Sequence, residues 1–492
     1  MVDNKKEQER DELHRTIWSM ANDLRGSVDG WDFKQYVLGM LFYRYISENF
    51  VKYVNAGEIE AGNADFDYVK LNDKDAEEAR EDLVQSKGYF ILPSQLFCNV
   101  KEKAPNNENL NETLESVFRS IEMSAQGRDS EKNFKGLFDD IDVNSNKLGG
   151  TVAKRNEKLA KLLGSVGDMK LGSYQDNTID AFGDAYEYLM GMYASNAGKS
   201  GGEYYTPQEV SELLTKITVL GKQEVNKVYD PACGSGFCRM NMWLHDIEYT
   251  EFDIGYGDTL IEPMHWDDEP FEAIVSNPPY SIKWEGDDNP ILINDERFSP
   301  AGVLAPRSKA DLAFIMHSLA WLATNGVAAI VCFPGVMYRG GAEQKIRKYL
   351  IDNNYVECII QLPDNLFFGT SIATCIMVLK KSKIENSTLF LDASKECVKV
   401  TNNNKLTEEN IQNILNAYKE RKDKKYYAAV IPNDKIADNG YSLSVSAYVE
   451  QEDTREKIDI VKLNGEIKEI VAREEVLRAE IDRIIAEIEV EA

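Results

Sequence analysis

Apolar residues recur three or four positions apart along the first third of the chain. They include Leu13, Ile17, Met20, Leu24, Val37, Met40 and Leu41. Residues at this spacing share one face of a helix, so the pattern predicts that residues 1–165 are mostly helical. This region shows no pattern that indicates chemistry.

From about residue 225 the pattern changes to short apolar runs that alternate with helical segments. The runs lie at 227–230, 271–276, 327–333, 356–361 and 374–379. Helical spacing between them covers 312–323 and 342–351. Because strands buried on both faces appear as continuous apolar runs, this alternation predicts an α/β fold with a doubly wound, parallel sheet.

The last forty residues return to helical spacing. Their apolar positions are Ile460, Leu463, Ile467, Ile470, Leu477, Ile481, Ile484 and Ile488, with Glu474 between. This predicts a C-terminal coiled-coil helix of about four heptads. Such a seam packs either on a partner or on its own domain, and we favour a partner.

The most informative motif follows the run at 271–276. Asn277, Pro278, Pro279 and Tyr280 stand at the carboxyl end of a predicted strand, where open α/β sheets bind their ligands. The Asn277 side-chain oxygen and the Pro278 carbonyl can accept hydrogen bonds from one exocyclic amino group. The Tyr280 ring can stack on a base. A tight turn that caps a strand is the alternative interpretation.

A second motif is the turn from Asp230 to Gly236, which follows the run at 227–230. An acidic residue and closely spaced glycines after a strand are typical of nucleotide-like ligand sites in doubly wound folds. An isolated G-x-G is weak evidence, but its position one sheet segment ahead of Asn277 makes the combination specific.

At these residues the chain resembles the N6-adenine DNA methyltransferases, and more closely the modification subunit of type I restriction-modification systems. The matching segments are Gly201–Gln208, Asp230–Gly236, Asn277–Tyr280 and Leu362–Thr370. The resemblance implies a helical N-terminal domain (1–165), a methyltransferase domain (166–400) and a C-terminal helical region for partner binding (401–492). It also implies direct methyl transfer from S-adenosylmethionine to a flipped adenine in double-stranded DNA.

The resemblance also assigns site residues. Asn277, Pro278, Pro279 and Tyr280 are the implied catalytic residues. The implied cofactor-binding residues are Glu203, Tyr204, Tyr205, Thr206, Pro207, Gln208, Asp230, Pro231, Ala232, Cys233, Gly234, Ser235, Gly236 and Asp258. Tyr280 would stack on one face of the adenine and Phe367 or Phe368 on the other, although a core role for either phenylalanine is equally open.

One departure from the family concerns the spacing of the two motifs. Only 40 residues, Phe237 to Ser276, separate Gly236 from Asn277. They hold one short helix from Cys238, one predicted strand near Phe252–Tyr256 and the strand before Asn277. A strand–helix pair of about 25–35 residues is missing, with the acid that would bind the ribose. Glu248, Glu251 or Asp253 could substitute, or cofactor binding is severely weakened.

Charge and composition constrain the partners. The chain has 492 residues, enough for two or three domains, and a formal net charge of −27. DNA affinity needs clustered Lys and Arg, so the resemblance implies that a specificity subunit supplies it, with a second modification subunit and a restriction (nuclease-translocase) subunit. Five basic residues could still meet phosphates, although an ordinary surface role is favoured for each: Lys283, Arg297, Arg307, Lys309 and Arg339.

Three classes of protein are disfavoured: disulfide-bonded secreted proteins, metalloproteins and membrane proteins. Seven scattered cysteines indicate reduced thiols in a cytoplasmic protein, four dispersed histidines argue against a metal site, and no apolar run is long enough to span a membrane. Two rival functions stay open: a protein glutamine methyltransferase, and a non-catalytic subunit that holds a complex together.

Overall fold

The computed structural model describes residues 11–18, 30–169, 171, 182–185, 188–189, 206–233, 236–266, 268–367, 370–400, 403–452 and 460–491. Contacts divide the chain into two compact units, residues 1–449 and 450–492. The expected domain boundaries near residues 165 and 400 stay predictions.

The N-terminal region is helical, as predicted. Residues 11–18 form a helix that buries Leu13 and Ile17. The helices that follow are α1 Gly30–Glu60, α2 Asp73–Glu78, α3 Arg80–Lys87, α4 Phe97–Lys103, α5 Leu110–Ser124, α6 Glu131–Phe134 and α7 Val152–Asp168. Their buried apolar side chains form one core, here called the helical core.

Among the residues that the structure describes, seven strands form the main sheet and two more form a separate hairpin. The strands are β1 Val228–Tyr229, β2 Phe271–Ser276, β3 Leu322–Cys332, β4 Val356–Gln361, β5 Cys375–Lys380, β6 Ser387–Asp392, β7 Val398–Val400, β8 Asn403–Lys405 and β9 Ala428–Pro432. The order in the main sheet is β1-β2-β3-β5-β4-β6-β9, and β7 pairs with β8. Because β9 lies beyond residue 400, the sheet includes part of the expected C-terminal region.

The predicted α/β fold with a doubly wound sheet is confirmed, but the sheet is mixed rather than parallel. β5 pairs antiparallel with both β3 and β4, and β9 pairs antiparallel with β6. Parallel neighbours need a long crossover that is usually helical. Residues 362–374, which join β4 to β5, contain no helix among those described. The chain therefore returns alongside β4 in the opposite direction.

Helices cover both faces of the sheet, giving three layers. On one face α8 (Gln208–Thr218) and α12 (Glu408–Glu420) enclose one apolar core. On the other face α10 (Asp311–Trp321), α11 (Ala342–Asp352) and α13 (Asn433–Asp438) enclose another. The predicted helices at 312–323 and 342–351 are confirmed. Between β2 and α10, the segment 281–310 packs Trp284 and Phe298 into this second core.

The shortened segment leaves β1 at the edge of the sheet. β1 pairs with β2 alone among the described strands, and Val228 is 59% exposed. The chain then enters α9 (Gly236–Leu244) directly, and residues 245–270 lead to β2. The strand predicted near Phe252–Tyr256 is wrong, because these residues, all described, adopt no strand. The predicted loss of a strand–helix pair agrees with this topology.

The C-terminal unit contains one long helix, α14 (Ile460–Glu491). Its apolar side chains are strongly exposed within the chain, Ile460 by 68% and Ile488 by 62%. The predicted helix is therefore present, and its coiled-coil pairing stays a prediction. Among the described helices, this one included, none is long and apolar enough to cross a membrane.

Candidate active site

The Asn277 side chain is fixed at the carboxyl end of β2. Its Nδ2 donates to Thr206 Oγ1 at 2.9 Å, and the Tyr280 hydroxyl donates to its Oδ1 at 2.6 Å. Thr206 stands just ahead of α8, so the amide is held from two separate elements. The bonds orient the amide oxygen toward Tyr280, and a second lone pair on that oxygen can accept from a ligand.

The turn after the two prolines is held by an acidic residue that the sequence analysis missed. Ser281 has a φ of +52°, and its backbone N–H donates to both carboxylate oxygens of Asp311 at 3.2 and 3.1 Å. Asp311 is buried at the first residue of α10. An acidic residue opening a predicted helix was the available indication. Pro278 is buried and Pro279 half-buried beside it.

Asp230 joins the ends of the first two strands. Its Oδ1 accepts from the Ala232 backbone at 2.9 Å and from Ser276 Oγ at 2.7 Å. Burial raises the pKa of Asp230 to about 6, although these hydrogen bonds oppose the change. The carboxylate therefore fixes the glycine-rich turn next to Asn277.

Of the remaining predicted cofactor residues, some lie among the described residues and the others do not. Pro207 is buried and Gln208 is exposed at the first position of α8. Pro231 is buried, while Ala232 and Cys233 are half-buried in the turn. Gly236 opens α9. Five members of the set lie outside the described residues: Glu203, Tyr204, Tyr205, Gly234 and Ser235.

A loop anchored by Arg297 reaches the glycine-rich turn. Thr259 Oγ1 donates to the Pro231 carbonyl at 2.8 Å, and the exposed Asp258 accepts from the Leu260 backbone at 2.9 Å. Arg297 Nη1 and Nη2 donate to the carbonyls of Thr259 and Leu260, each at 2.9 Å. Asp295 pairs with the same guanidinium at 2.7 Å. Arg297 is 2% exposed, so the suggestion that it meets phosphate is wrong.

The Arg297 guanidinium also fixes the state of a buried histidine. Its Nη1 lies 3.1 Å from His317 Nδ1, and the Tyr229 hydroxyl lies 2.9 Å from Nε2. Arginine only donates, so Nδ1 is the acceptor and Nε2–H donates to Tyr229. Burial, followed by the Arg297 charge, lowers the pKa of His317 to about 3. The neutral imidazole links β1 to α10.

Two of the three acids proposed as substitutes for the ribose-binding residue make ion pairs with the helical region. Glu248 pairs with Lys87 at 3.0 Å, and Asp253 pairs with Lys132 at 2.6 Å. Glu251 is exposed in the turn between them. Two of the three substitutes therefore pair with lysines of the helical region, and Asp258 is the acid that the structure places beside the glycine-rich turn.

A small pocket opens beside Tyr280. Its volume is about 130 Å³, and its lining consists of Tyr280, Ser281, Phe333, Thr370, Ile372 and Thr374. Cavities of this order accommodate a six-membered ring. Phe333 follows β3 directly, at the same edge of the sheet as Asn277. Phe333 was not predicted as a pocket residue, although an aromatic residue at a strand's carboxyl end is visible in the sequence.

Phe367 does not share this pocket. It is 2% exposed and packs in the core beneath α8 and α12, so its predicted stacking role is wrong and the core alternative holds. Phe368 lies outside the described residues. Among the described residues no three His, Cys, Asp or Glu side chains are close enough to share a metal ion.

Comparison with family models identifies the chain. The model described as N-6 DNA Methylase matches residues 177–237 and 236–457, and the model described as HsdM N-terminal domain matches residues 13–166. The first match alone spans more than half of the sequence. This protein belongs to the N-6 DNA methylase family.

Individual relatives agree along the whole chain. The methylase subunit of the type I restriction enzyme MpnII from Mycoplasma pneumoniae is 46% identical, over 100% of this chain and 98% of that protein. The MjaVII methylase subunit from Methanocaldococcus jannaschii is 27% identical, over 99% and 86%. A crystal structure of a type I restriction-modification methyltransferase subunit from Streptococcus thermophilus has a TM-score of 0.80 at 34% identity, covering 90% of this chain and 100% of that one.

The same comparisons support the shortened segment. The alignment with the Mycoplasma pneumoniae subunit has 537 positions, whereas this chain has 492 residues. At least about 45 positions are therefore present in the relative and absent here. The N-6 DNA methylase model also matches in two pieces that meet at residues 236 and 237. The break falls directly after the glycine-rich turn.

Proposed function

We propose that this chain is the modification subunit of a type I restriction-modification complex and transfers a methyl group from S-adenosylmethionine to the N6 atom of adenine in DNA. The arrangement of Asn277 carries the proposal. Its amide oxygen is oriented by Thr206 and Tyr280 at the end of an interior strand, where it can accept from an exocyclic amine.

The chain's contribution to transfer is to position the amine. The adenine N6 lone pair is delocalised into the ring, so the amine is a poor nucleophile. Hydrogen bonds accepted by Asn277 Oδ1 and the Pro278 carbonyl favour a more tetrahedral nitrogen. No covalent enzyme intermediate is required, and holding the amine in line supplies most of the rate increase. Flipping the adenine costs a few kcal/mol, which stacking on Tyr280 partly offsets.

The described residues fit S-adenosylmethionine, which when bound supplies an electrophilic methyl group. Thr206 lies beside Asn277, and Asp230 fixes the turn that would approach the ligand. Asp258 is exposed beside Pro231 and offers a carboxylate for polar groups of the nucleoside. With one strand–helix pair missing, these residues bind the cofactor weakly, and Asp258 takes the place of the absent acid.

The charge of the chain assigns DNA affinity to partners. At −27 the chain repels phosphate, so a specificity subunit would supply target recognition. The large apolar side chains of α14, from 44% to 82% exposed within this chain, fit a helical partner such as that subunit. A second modification subunit and a nuclease-translocase subunit complete the proposed complex.

The test is transfer of tritium from labelled S-adenosylmethionine to DNA by the chain co-expressed with its specificity subunit. Asn277→Ala should reduce the turnover number about 100-fold or more and leave cofactor binding intact, because it removes an acceptor that positions the amine. Equal turnover by the variant would contradict the proposed role. Asn325→Ala, on the exposed far end of β3, is the control that should change neither quantity.

The edge position of β1 favours a second candidate, a subunit that assembles with its partners without methylating DNA. The two candidates differ in binding of radiolabelled S-adenosylmethionine, measured with and without the specificity subunit. Saturable binding in either condition supports the methyltransferase. Assembly without binding in both conditions supports the non-catalytic subunit.

A further inference from the structure

The pocket beside Tyr280 contains one polar side chain whose hydrogen-bonding capacity is unused. Thr374, which directly precedes β5, lines the pocket and is 0% exposed. Within the part of the chain that the structure describes, its hydroxyl has no hydrogen-bond partner. Its backbone carbonyl, in contrast, accepts from the Leu362 backbone at 2.9 Å and from Gln361 Nε2 at 3.0 Å. The backbone is thus satisfied while the side chain is not.

A second threonine of the same sheet shows the usual arrangement. Thr388 in β6 is also 0% exposed, and its hydroxyl lies 3.1 Å from the Val356 carbonyl and 3.0 Å from Asn433 Oδ1. Buried hydroxyls in native proteins are nearly always paired in this way, because an unpaired one destabilises the folded state. The hydroxyl of Thr374 therefore needs an explanation that Thr388 does not.

The other walls of the pocket suit a flat aromatic ring. Tyr280 and Phe333 supply rings, and Tyr280 also bonds to Asn277, so the pocket adjoins the acceptor for the amine. An adenine placed with its amino group at Asn277 has ring nitrogens that can only accept hydrogen bonds. Thr374 lines this pocket, and its hydroxyl is a matching donor.

We propose that the Thr374 hydroxyl donates a hydrogen bond to a ring nitrogen of the flipped adenine, and that the unliganded protein leaves it unpaired for this purpose. This inference rests on the proposed function, which it deepens by naming a residue that recognises the base. Asn277 holds the exocyclic amine, the two aromatic rings lie against the base, and Thr374 recognises the ring edge.

The proposal predicts effects of opposite sign on stability and binding. Thr374→Val replaces the unpaired hydroxyl with a methyl group of similar shape, so the free protein should be as stable as the wild type or more stable. The same variant should bind the base about three- to tenfold more weakly, the loss expected for one hydrogen bond. Thr374→Ser keeps the hydroxyl and should restore binding.

Thr388→Val is the matched control. It should lower the melting temperature, because it removes a hydroxyl that is paired, and it should leave base binding unchanged. A merely structural role for Thr374 predicts unchanged base binding at both positions. Weaker base binding by Thr374→Val alone therefore separates recognition from folding, and the opposite changes in melting temperature show that the Thr374 hydroxyl is unpaired in the free protein.

Binding is measured by saturation-transfer NMR on the full chain with its specificity subunit, with adenosine as the probe and saturating S-adenosylhomocysteine present to occupy the cofactor site. We expect Thr374→Val, or removal of the acceptor in 1-deazaadenosine or 7-deazaadenosine, to weaken binding by a similar factor. Equal binding of adenosine by Thr374→Val and the wild type would overturn the inference, as would an absence of adenosine binding in the wild type.

Failure of the proposed function gives a different result. If the wild type binds adenosine and discriminates against a deaza analogue but transfers no tritium to DNA, the transferase proposal fails and the assignment of Thr374 stands. If tritium is transferred at equal rates and equal KM for DNA by wild type and Thr374→Val, the assignment fails and the transferase proposal stands.

Discussion

The two halves of the candidate site are built on unequal parts of the sheet. Asn277 follows β2, which is hydrogen-bonded on both sides, and its amide is held by side chains from two elements. The glycine-rich turn follows β1, a two-residue strand paired on one side only among the described strands. The half around Asn277, here called the base half after its proposed role, is therefore rigidly supported. The half around the glycine-rich turn, here called the cofactor half, lies at an edge of the sheet.

Within the described part of the sheet, the cofactor half lacks the flanking strand that a doubly wound sheet usually places beside β1, and side chains hold it in place instead. A buried arginine bonds the carbonyls of Thr259 and Leu260, and the Thr259 hydroxyl bonds the turn, so side-chain bonds act where a flanking strand would supply a backbone ladder. Such a substitute fixes a few atoms rather than a whole strand. We expect the cofactor half to respond to single changes that leave the base half intact.

The largest effect should come from Arg297→Met. It leaves the Asp295 side chain, which is 12% exposed, without its partner, and such a loss from a buried pair costs up to about 3–5 kcal/mol. Urea unfolding measures this cost, and hydrogen exchange should show faster exchange at residues 258–262. Arg347→Met is the control, because Arg347 is equally buried and bonds three carbonyls far from the turn. It should destabilise without changing exchange at 258–262.

Restoring the missing segment is the next largest change. Insertion of the extra residues of the Mycoplasma pneumoniae subunit after Gly236 should tighten binding of S-adenosylmethionine about 10- to 100-fold, since one hydrogen bond to a charged group contributes about 1.5–3 kcal/mol. Calorimetric titration measures the affinity. An insertion of equal length made of glycine and serine should give no gain; a gain with that linker would contradict the comparison of the two halves.

Asp230 should make the stability of the cofactor half depend on pH. Its pKa in the folded protein, about 6, is above the unfolded value of 3.8. The folded state therefore holds the proton more tightly, and this stabilisation is complete below pH 4 and lost as pH rises through 6. Asp230→Asn should remove this loss, of order 2 kcal/mol, in unfolding curves from pH 4 to 7. Identical pH profiles for the wild type and Asp230→Asn would show that burial does not raise the pKa of this carboxyl.

The smallest effect should fall on the open edge itself. Val228→Thr should change the free energy of unfolding by no more than about 0.5 kcal/mol, because this side chain is mostly exposed. Ile274→Thr, at the neighbouring buried position of β2, should cost about 2–4 kcal/mol. Similar costs at the two positions in thermal unfolding would mean that β1 is covered.

Local patterns were sufficient to predict much of this arrangement. Strand runs and helical spacing located β2, β3, β4, β5, α10, α11 and α14 and indicated a helical N-terminal region, because each depends on burial that repeats along a short window. The Asn277 motif was also correctly placed at a strand end. The shortened segment was visible as a spacing, and the edge position of β1 agrees with it.

Contacts between distant residues were not predictable in the same way. Arg297 was interpreted as a surface cation, but it bonds carbonyls almost 40 residues earlier in the chain. The segment predicted as a strand at Phe252–Tyr256 instead contains Asp253, which pairs with Lys132 of the helical region, and follows Glu248, which pairs with Lys87. Phe333 and Thr374 meet only because β5 returns antiparallel beside β3. In each case the partner is set by the topology rather than by the neighbouring sequence.

The position of α9 has a consequence for cooperativity. Met240, Trp243 and Leu244 are buried in the helical core, while Asp230, ten residues before Met240, is bonded to Ser276 in the sheet. A folding domain that is joined to its neighbour by a long loop can melt by itself. Here, in contrast, the connecting helix α9 packs in the helical core, and Asp230 ahead of it is bonded to the sheet. Residues 1–449 should therefore behave as one calorimetric unit, in which the helical region and the sheet lose their structure at a single temperature.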